Sequence, residues 1–226
     1  MKTLLMKAWL LAPLLAVAFL LAACGGAGSG QQGDESGGGH GQMDHGQMDH
    51  GQMDHGSMGM GSGGMARQMV MEKGKYSDKA FIDAMVPHHQ GAIAMAEVAL
   101  KNAEHEEIIQ LSRNIILSQQ AEIEELKSIK QEEFGTSNVP MEMSPEQMRG
   151  MGMMMDPQQL ANQKPFDEAF IDAMIPHHQS AIEMARAALE NSDNPKIKEL
   201  AQNIISAQQR EIEQMKQWRK EWFPKG

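Results

Sequence analysis

Two stretches of the chain carry apolar residues at three- and four-residue steps. In the first, Phe81, Ile82, Met85, His89, Ala92, Ile93, Ala96 and Leu100 fall on one helical face. Ile108, Leu111, Ile115, Glu122, Leu126 and Ile129 then mark the seam of a second helix, and Asn102 to Glu106 interrupt the rhythm between the two. In the second stretch the interruption reads Ser192-Asp193-Asn194-Pro195, where Asn194 and Pro195 form a cap and first-turn pair. Each stretch therefore predicts a helical hairpin.

The two stretches are copies. Residues 80–134 and 169–223 align without a gap at a constant offset of 89, with 30 of 55 positions identical. A lone hairpin leaves one flank wet, whereas two packed together close a core, so the expected fold is an all-α four-helix bundle built from two duplicated hairpins. The expected boundaries are residues 77–134 and 165–226, joined by a Met-rich segment, 135–164. Pro87 and Pro176 fall inside the first helix of each copy, where a missing N–H predicts a bend or a break into two shorter helices. Asp83 and Asp172, four residues earlier, are candidates to cap that bend or to bond a histidine. Ser144-Pro145-Glu146-Gln147 has a capping-box pattern that could start a short helix in the joining segment. His105 has no counterpart histidine in the second copy and reads as a surface residue.

The N-terminal third has a different pattern. Lys2 and Lys7 precede an apolar stretch interrupted by Pro13, too short to span a bilayer, and residues 1–23 read as a signal peptide. The segment Leu21-Ala22-Ala23-Cys24 resembles a bacterial lipobox, which makes Cys24 the expected lipidation site and a membrane anchor in the cell envelope, outside the cytoplasm. Residues 25–76, almost free of aliphatic and aromatic side chains up to residue 64, are expected to form a disordered tether spanning roughly 40 Å.

Composition narrows the chemistry. The chain has 22 Met but one Cys, which excludes a disulfide framework and multi-thiolate zinc or iron–sulfur sites. Ten aromatics among 226 residues argue against a β-sandwich, and a net charge of -10 argues against nucleic acid as a partner. The methionine excess lies mostly outside the periodic helices, so packing does not account for it.

Methionine sulfur is a soft neutral ligand suited to Cu(I) or Ag(I), and imidazole also suits Cu(II) and Zn. Three consecutive GQMDH units offer Met43 with His45, Met48 with His50, and Met53 with His55. Glycine lets these ligands converge, at the entropic cost of ordering the segment, which predicts several interchangeable sites. The second constellation is MVPHHQGAIAM and MIPHHQSAIEM. Here Met85, His88 and Met95 share one flank of a helix, and His89 turns about 100° away toward the seam. Met174, His177, His178 and Met184 repeat the pattern. Gln119 and Glu122, matched by Gln208 and Glu211, place polar groups on the partner helix, where a buried carboxylate calls for a histidine or a metal.

These residues resemble the CopM-like copper-binding family, a bacterial family first catalogued as a domain of unknown function. Its helix reads F-x-x-x-M-x-x-H-H-x-x-A-I-x-M-A and is followed by one with Q-x-x-E-I. The matching residues here are Phe81, Met85, His88, His89, Ala92, Ile93, Met95 and Ala96 with Gln120, Ile123 and their neighbours Gln119 and Glu122, and Phe170, Met174, His177, His178, Ala181, Ile182, Met184 and Ala185 with Gln209, Ile212 and their neighbours Gln208 and Glu211. The resemblance covers about half the chain. It implies a ferritin-like bundle outside the cytoplasm that binds copper as Cu(I), and also Ag(I) or Cu(II), for copper resistance. The GQMDH tract is not part of that signature.

The function expected is a non-enzymatic copper buffer or chaperone that hands its metal to a copper efflux component. A ferritin-like di-iron oxidase would need Glu-x-x-His pairs, and neither repeat has one. A purely structural envelope lipoprotein would leave the sulfur excess unexplained.

Overall fold

The computed structural model describes residues 62–153 and 155–224. Four long helices dominate: α2 (Asp78–Asn102), α3 (Glu106–Phe134), α6 (Phe166–Asn191) and α7 (Pro195–Trp222). Around them lie α1 (Ser62–Met69), a two-stranded antiparallel ribbon of β1 (Met71–Glu72) and β2 (Lys75–Tyr76), α4 (Pro145–Gly150) and α5 (Pro157–Leu160). Helix α2 packs along α3, α6 along α7, and α2 against α6, which joins the two hairpins into the four-helix core. Among the described residues no helix is long and apolar enough to cross a membrane.

The helix ends follow from local chemistry. Ser77 Oγ accepts from the Ala80 N–H at 3.2 Å to open α2, and Asn194 Oδ1 accepts from the Lys196 N–H at 2.9 Å to open α7. Ser144 and Gln147 form the reciprocal capping box that starts α4. Helix α3 stops at Gly135, whose φ of 71° lies in the left-handed region.

Three expectations change. Pro87 and Pro176 do not break their helices: α2 and α6 run through them for 25 and 26 residues. Apolar residues on both sides of each proline are packed in the core, and that burial outweighs one missing hydrogen bond. Neither Asp83 nor Asp172 bonds a histidine among the described residues. Asp83 pairs with Lys79 at 2.7 Å and with the buried Lys130, and Asp172 pairs with Arg219 at 2.9 Å. His105 occupies the N-cap position of α3, with Nδ1 2.6 Å from the buried Asp167 and its ring stacked 3.9 Å from that of Trp222.

Order also begins earlier than the expected end of the tether at residue 76. Helix α1 and the ribbon lie inside that range. Ala66 and Val70 are fully buried, α1 packs on α6, and Arg67 reaches Glu190 at 2.5 Å. The few apolar residues after Gly64 are enough to dock a short helix because the bundle supplies the rest of the contact surface. Residues 1–61, which hold the expected signal peptide, Cys24 and the GQMDH units, lie outside the described residues.

The core is divided in two. One apolar cluster contains Phe81 and Met85 of α2, Leu126 of α3, Met184 of α6 and Leu200 of α7. The other contains Met95 of α2, Leu111 of α3, Met174 of α6 and Met215 of α7. Between the two sets on α2 and α6 fall His88, His89, His177 and His178, all fully buried. A polar layer thus separates two greasy ones.

Candidate metal centre

The doubled HH motif reaches this layer because α2 and α6 pack against each other, so His88 meets its counterpart His177. Their ring centroids are 3.8 Å apart and tilted by 40°. His89 and His178 lie beyond, 6.2 and 6.3 Å from their chain neighbours. Burial holds the pKa values of His88 and His177 well below the ordinary imidazole value, and repulsion among the clustered imidazoles lowers them further. Both are neutral at pH 7, the form that offers a lone pair to a metal.

The outer pair is held by carboxylates. His178 Nε2 donates to Glu211 Oε2 at 2.6 Å. His89 Nε2 stands 2.7 Å from Glu122 Oε2, at ion-pair distance but off the line of a good hydrogen bond. For His178, whose Nε2–H is given to Glu211, the lone pair belongs to Nδ1; among the described residues neither His178 Nδ1 nor His89 Nδ1 has a protein partner. A carboxylate behind an imidazole is the arrangement that fixes tautomer and raises basicity in metal sites. Gln119 and Gln208, only 2% exposed, stand three residues before Glu122 and Glu211 on the same helices.

Ser180 differentiates the inner pair. Its Oγ is 2.8 Å from His88 Nε2 and 2.7 Å from the carbonyl oxygens of both Met151 and His177. A hydroxyl has one proton and a carbonyl can only accept, so Ser180 donates to a carbonyl and accepts from His88 Nε2–H. That network assigns His88 as the Nε2–H tautomer. Among the described residues His177 has no protein hydrogen-bond partner at either ring nitrogen. Sequence reasoning missed Ser180. The signal was present as a mismatch between the copies, HHQG in one and HHQS in the other.

The helical methionines lie at different heights along the bundle. Met85 and Met95, assigned to one flank with His88, fall in opposite apolar clusters, Met85 with Met184 and Met95 with Met174. A step of seven residues from His88 carries Met95 nearly two helical turns along the axis, past the polar layer. The histidines are therefore brought together, whereas the four thioethers are shared between the two ends of the core. Among the described residues no group of three or more His, Cys, Asp or Glu side chains is arranged to hold a metal ion.

A second gathering of sulfur was not anticipated. Met69, Met71, Met143 and Met151 line a cleft of about 250 Å³ beside Pro87, with Glu72 and Asp83 on its wall.

Comparison with known proteins completes the description. The family model described as "Domain of unknown function (DUF305)" matches residues 20–130 and again 128–219. The structure of CopM in the Cu(II)-bound form is similar with a TM-score of 0.61 at 42% identity, covering 66% of this chain and 99% of that one. CopM in the Cu(I)-bound form aligns with a TM-score of 0.59 at 43% identity over 66% and 99% of the two chains. A DUF305 fragment from Deinococcus radiodurans aligns with a TM-score of 0.56 at 26% identity, covering 62% of this chain and 92% of that one. The uncharacterized protein L153 of Acanthamoeba polyphaga mimivirus is 43% identical over 49 residues, 22% of this chain; the match spans about a third of that relative, 32% of its length.

Proposed function

The chain belongs to the DUF305 family, and from that premise we propose that it is a copper-binding protein, taking copper as cargo through imidazole and thioether ligands. The observation that carries this reading is the pair His88 and His177, fully buried, neutral and in ring contact, with three of their four nitrogens lacking a protein partner among the described residues. An unsatisfied buried polar atom costs about 1–3 kcal/mol. Several in one layer form an arrangement that a bound cation would relieve. The similar CopM structures are in Cu(I)-, Cu(II)- and Ag-bound forms, which supports copper as the cargo and Ag(I) as its mimic.

We further propose that the protein works outside the cytoplasm, anchored to an envelope membrane through Cys24, and that it sequesters Cu(I) or hands it to an efflux component. The lipobox likeness and the abundance of Met over Cys support this placement, because thioethers, unlike thiols, do not oxidise to disulfides. The GQMDH units would collect metal ahead of the bundle. We read the protein as a binder and not a catalyst.

The test is a competition titration of the full chain with Cu(I), Ag(I), Cu(II) and Zn(II), repeated on the His88→Ala, His177→Ala double variant. Cu(I) binding that is tighter than Zn(II) binding and is weakened by the double variant supports the reading. Cu(I) binding no tighter than Zn(II), unchanged in the variant, would overturn it.

A further inference from the structure

The two repeats are not equivalent at the site, and the difference is one side chain. Ser180 of α6 corresponds to Gly91 of α2 at the offset of 89. In the second copy the hydroxyl occupies this place and engages His88 Nε2 at 2.8 Å. In the first copy there is no side chain, and the space is used otherwise. A methyl group placed on Gly91 would lie 2.7 Å from Met153 Sδ and 3.3 Å from His177 Nε2. A thioether sulfur and an unpartnered imidazole nitrogen thus converge on the same small volume above one helical glycine.

The joining segment is built to deliver that sulfur. Gly152 has a φ of 69°, which a side chain rarely adopts. A Cβ there would lie 2.5 Å from the Pro176 carbonyl oxygen and 2.8 Å from the His177 backbone nitrogen, so only glycine lets the segment lie this close to α6. Met151, whose side chain is buried, is tied down through its carbonyl, which accepts from Ser180 Oγ at 2.7 Å. Met153 follows directly, half-buried at the edge of the polar layer.

We propose that Met153 Sδ and His177 Nε2 together bind one soft monovalent cation, Cu(I) or its mimic Ag(I), in the space left by Gly91, while Ser180 reserves His88 as a neighbouring imidazole that does not offer Nε2. One neutral sulfur and one neutral nitrogen suit a soft monovalent ion of low coordination number. The proposal rests on the copper-binding reading above and adds to it a ligand from outside the duplicated helices and an inequivalence of the two repeats. Met153, on the joining segment and not on a core helix, would be the ligand able to swing out and admit the ion.

The test uses the full chain carrying methionine labelled with ¹³C at the ε-methyl and histidine labelled with ¹⁵N, titrated with Ag(I), together with Cu(I) competition titrations. Two variants separate ligation from folding. Met153→Leu removes the sulfur at nearly constant volume. Gly91→Ser installs the hydroxyl of the other repeat, displacing the flexible end of Met153 and touching His177 Nε2 closely, and should fold. The expected result is that the Met153 methyl and His177 Nε2 resonances shift in parallel, and that each variant weakens the tightest Cu(I) site about tenfold or more. If the full chain binds Cu(I) but Met153 does not shift and neither variant loses affinity, the shared site is overturned and the general copper reading stands. If the full chain binds neither ion, both are overturned.

Discussion

His88 and His177, matching residues of the two repeats, meet in the bundle interior with ring centroids 3.8 Å apart and no exposure to solvent. Two imidazoles so placed cannot both be charged. Burial and mutual repulsion depress both pKa values, so the folded state excludes protons that the unfolded chain accepts.

The sign of the resulting pH dependence follows. In the unfolded chain each imidazole titrates near pH 6.5, and in the folded protein well below it. Above about pH 6.5 neither state binds these protons and stability is flat. Below it the unfolded state binds more, so stability falls with pH by up to about 1.4 kcal/mol per unit for each imidazole. Urea denaturation of the metal-free protein between pH 5 and 8 should show this loss, and the His88→Ala, His177→Ala double variant should flatten it. An unchanged slope in the double variant would contradict the assignment.

Ser180→Ala should cost about 1–3 kcal/mol in urea denaturation, because it leaves His88 Nε2–H without its buried acceptor. Gly91→Ala, at the matching position, should change stability by less than about 1 kcal/mol, since the gain in helix propensity opposes the displacement of the Met153 side chain. The two copies should therefore respond differently to alanine at one equivalent site.

Glu211→Gln and Glu122→Gln remove the carboxylates behind His178 and His89. If those imidazoles contribute to copper binding, each substitution weakens it by about ten- to a hundredfold with little effect on helix content. Competition titration and circular dichroism together check this.

Helix α1 belongs to the folded unit, with Ala66 fully buried. Ala66→Leu should overpack its seat against α6 and cost about 1–3 kcal/mol, whereas deletion of residues 40–60 should lower the number of ions bound and leave the unfolding midpoint of the metal-free protein unchanged.

The hairpins, the bundle and the histidines were legible in the sequence because periodicity and duplication are properties of single helices and of their repetition. Glu122 and Glu211, polar in an otherwise apolar seam, called for a histidine or a metal, and the structure sets them beside His89 and His178. What was not legible depends on how elements meet. Periodicity could not show that the polar layer divides Met85 from Met95, because that depends on where along its length α2 crosses α6. Nor could it show that the joining segment returns to His177, which rests on the left-handed Gly152 and on Ser180 holding the Met151 carbonyl. His105 looked like a surface residue because its partner, Asp167, is 62 residues away.

The most direct test is the Cu(I) affinity of the full chain, measured by competition with a chromophoric chelator, against that of the His88→Ala, His177→Ala double variant, with Zn(II) measured alongside. The histidine layer as the copper site predicts Cu(I) binding well above Zn(II) binding and loss of the tightest Cu(I) site in the variant. A variant that keeps the same tightest Cu(I) affinity would contradict it.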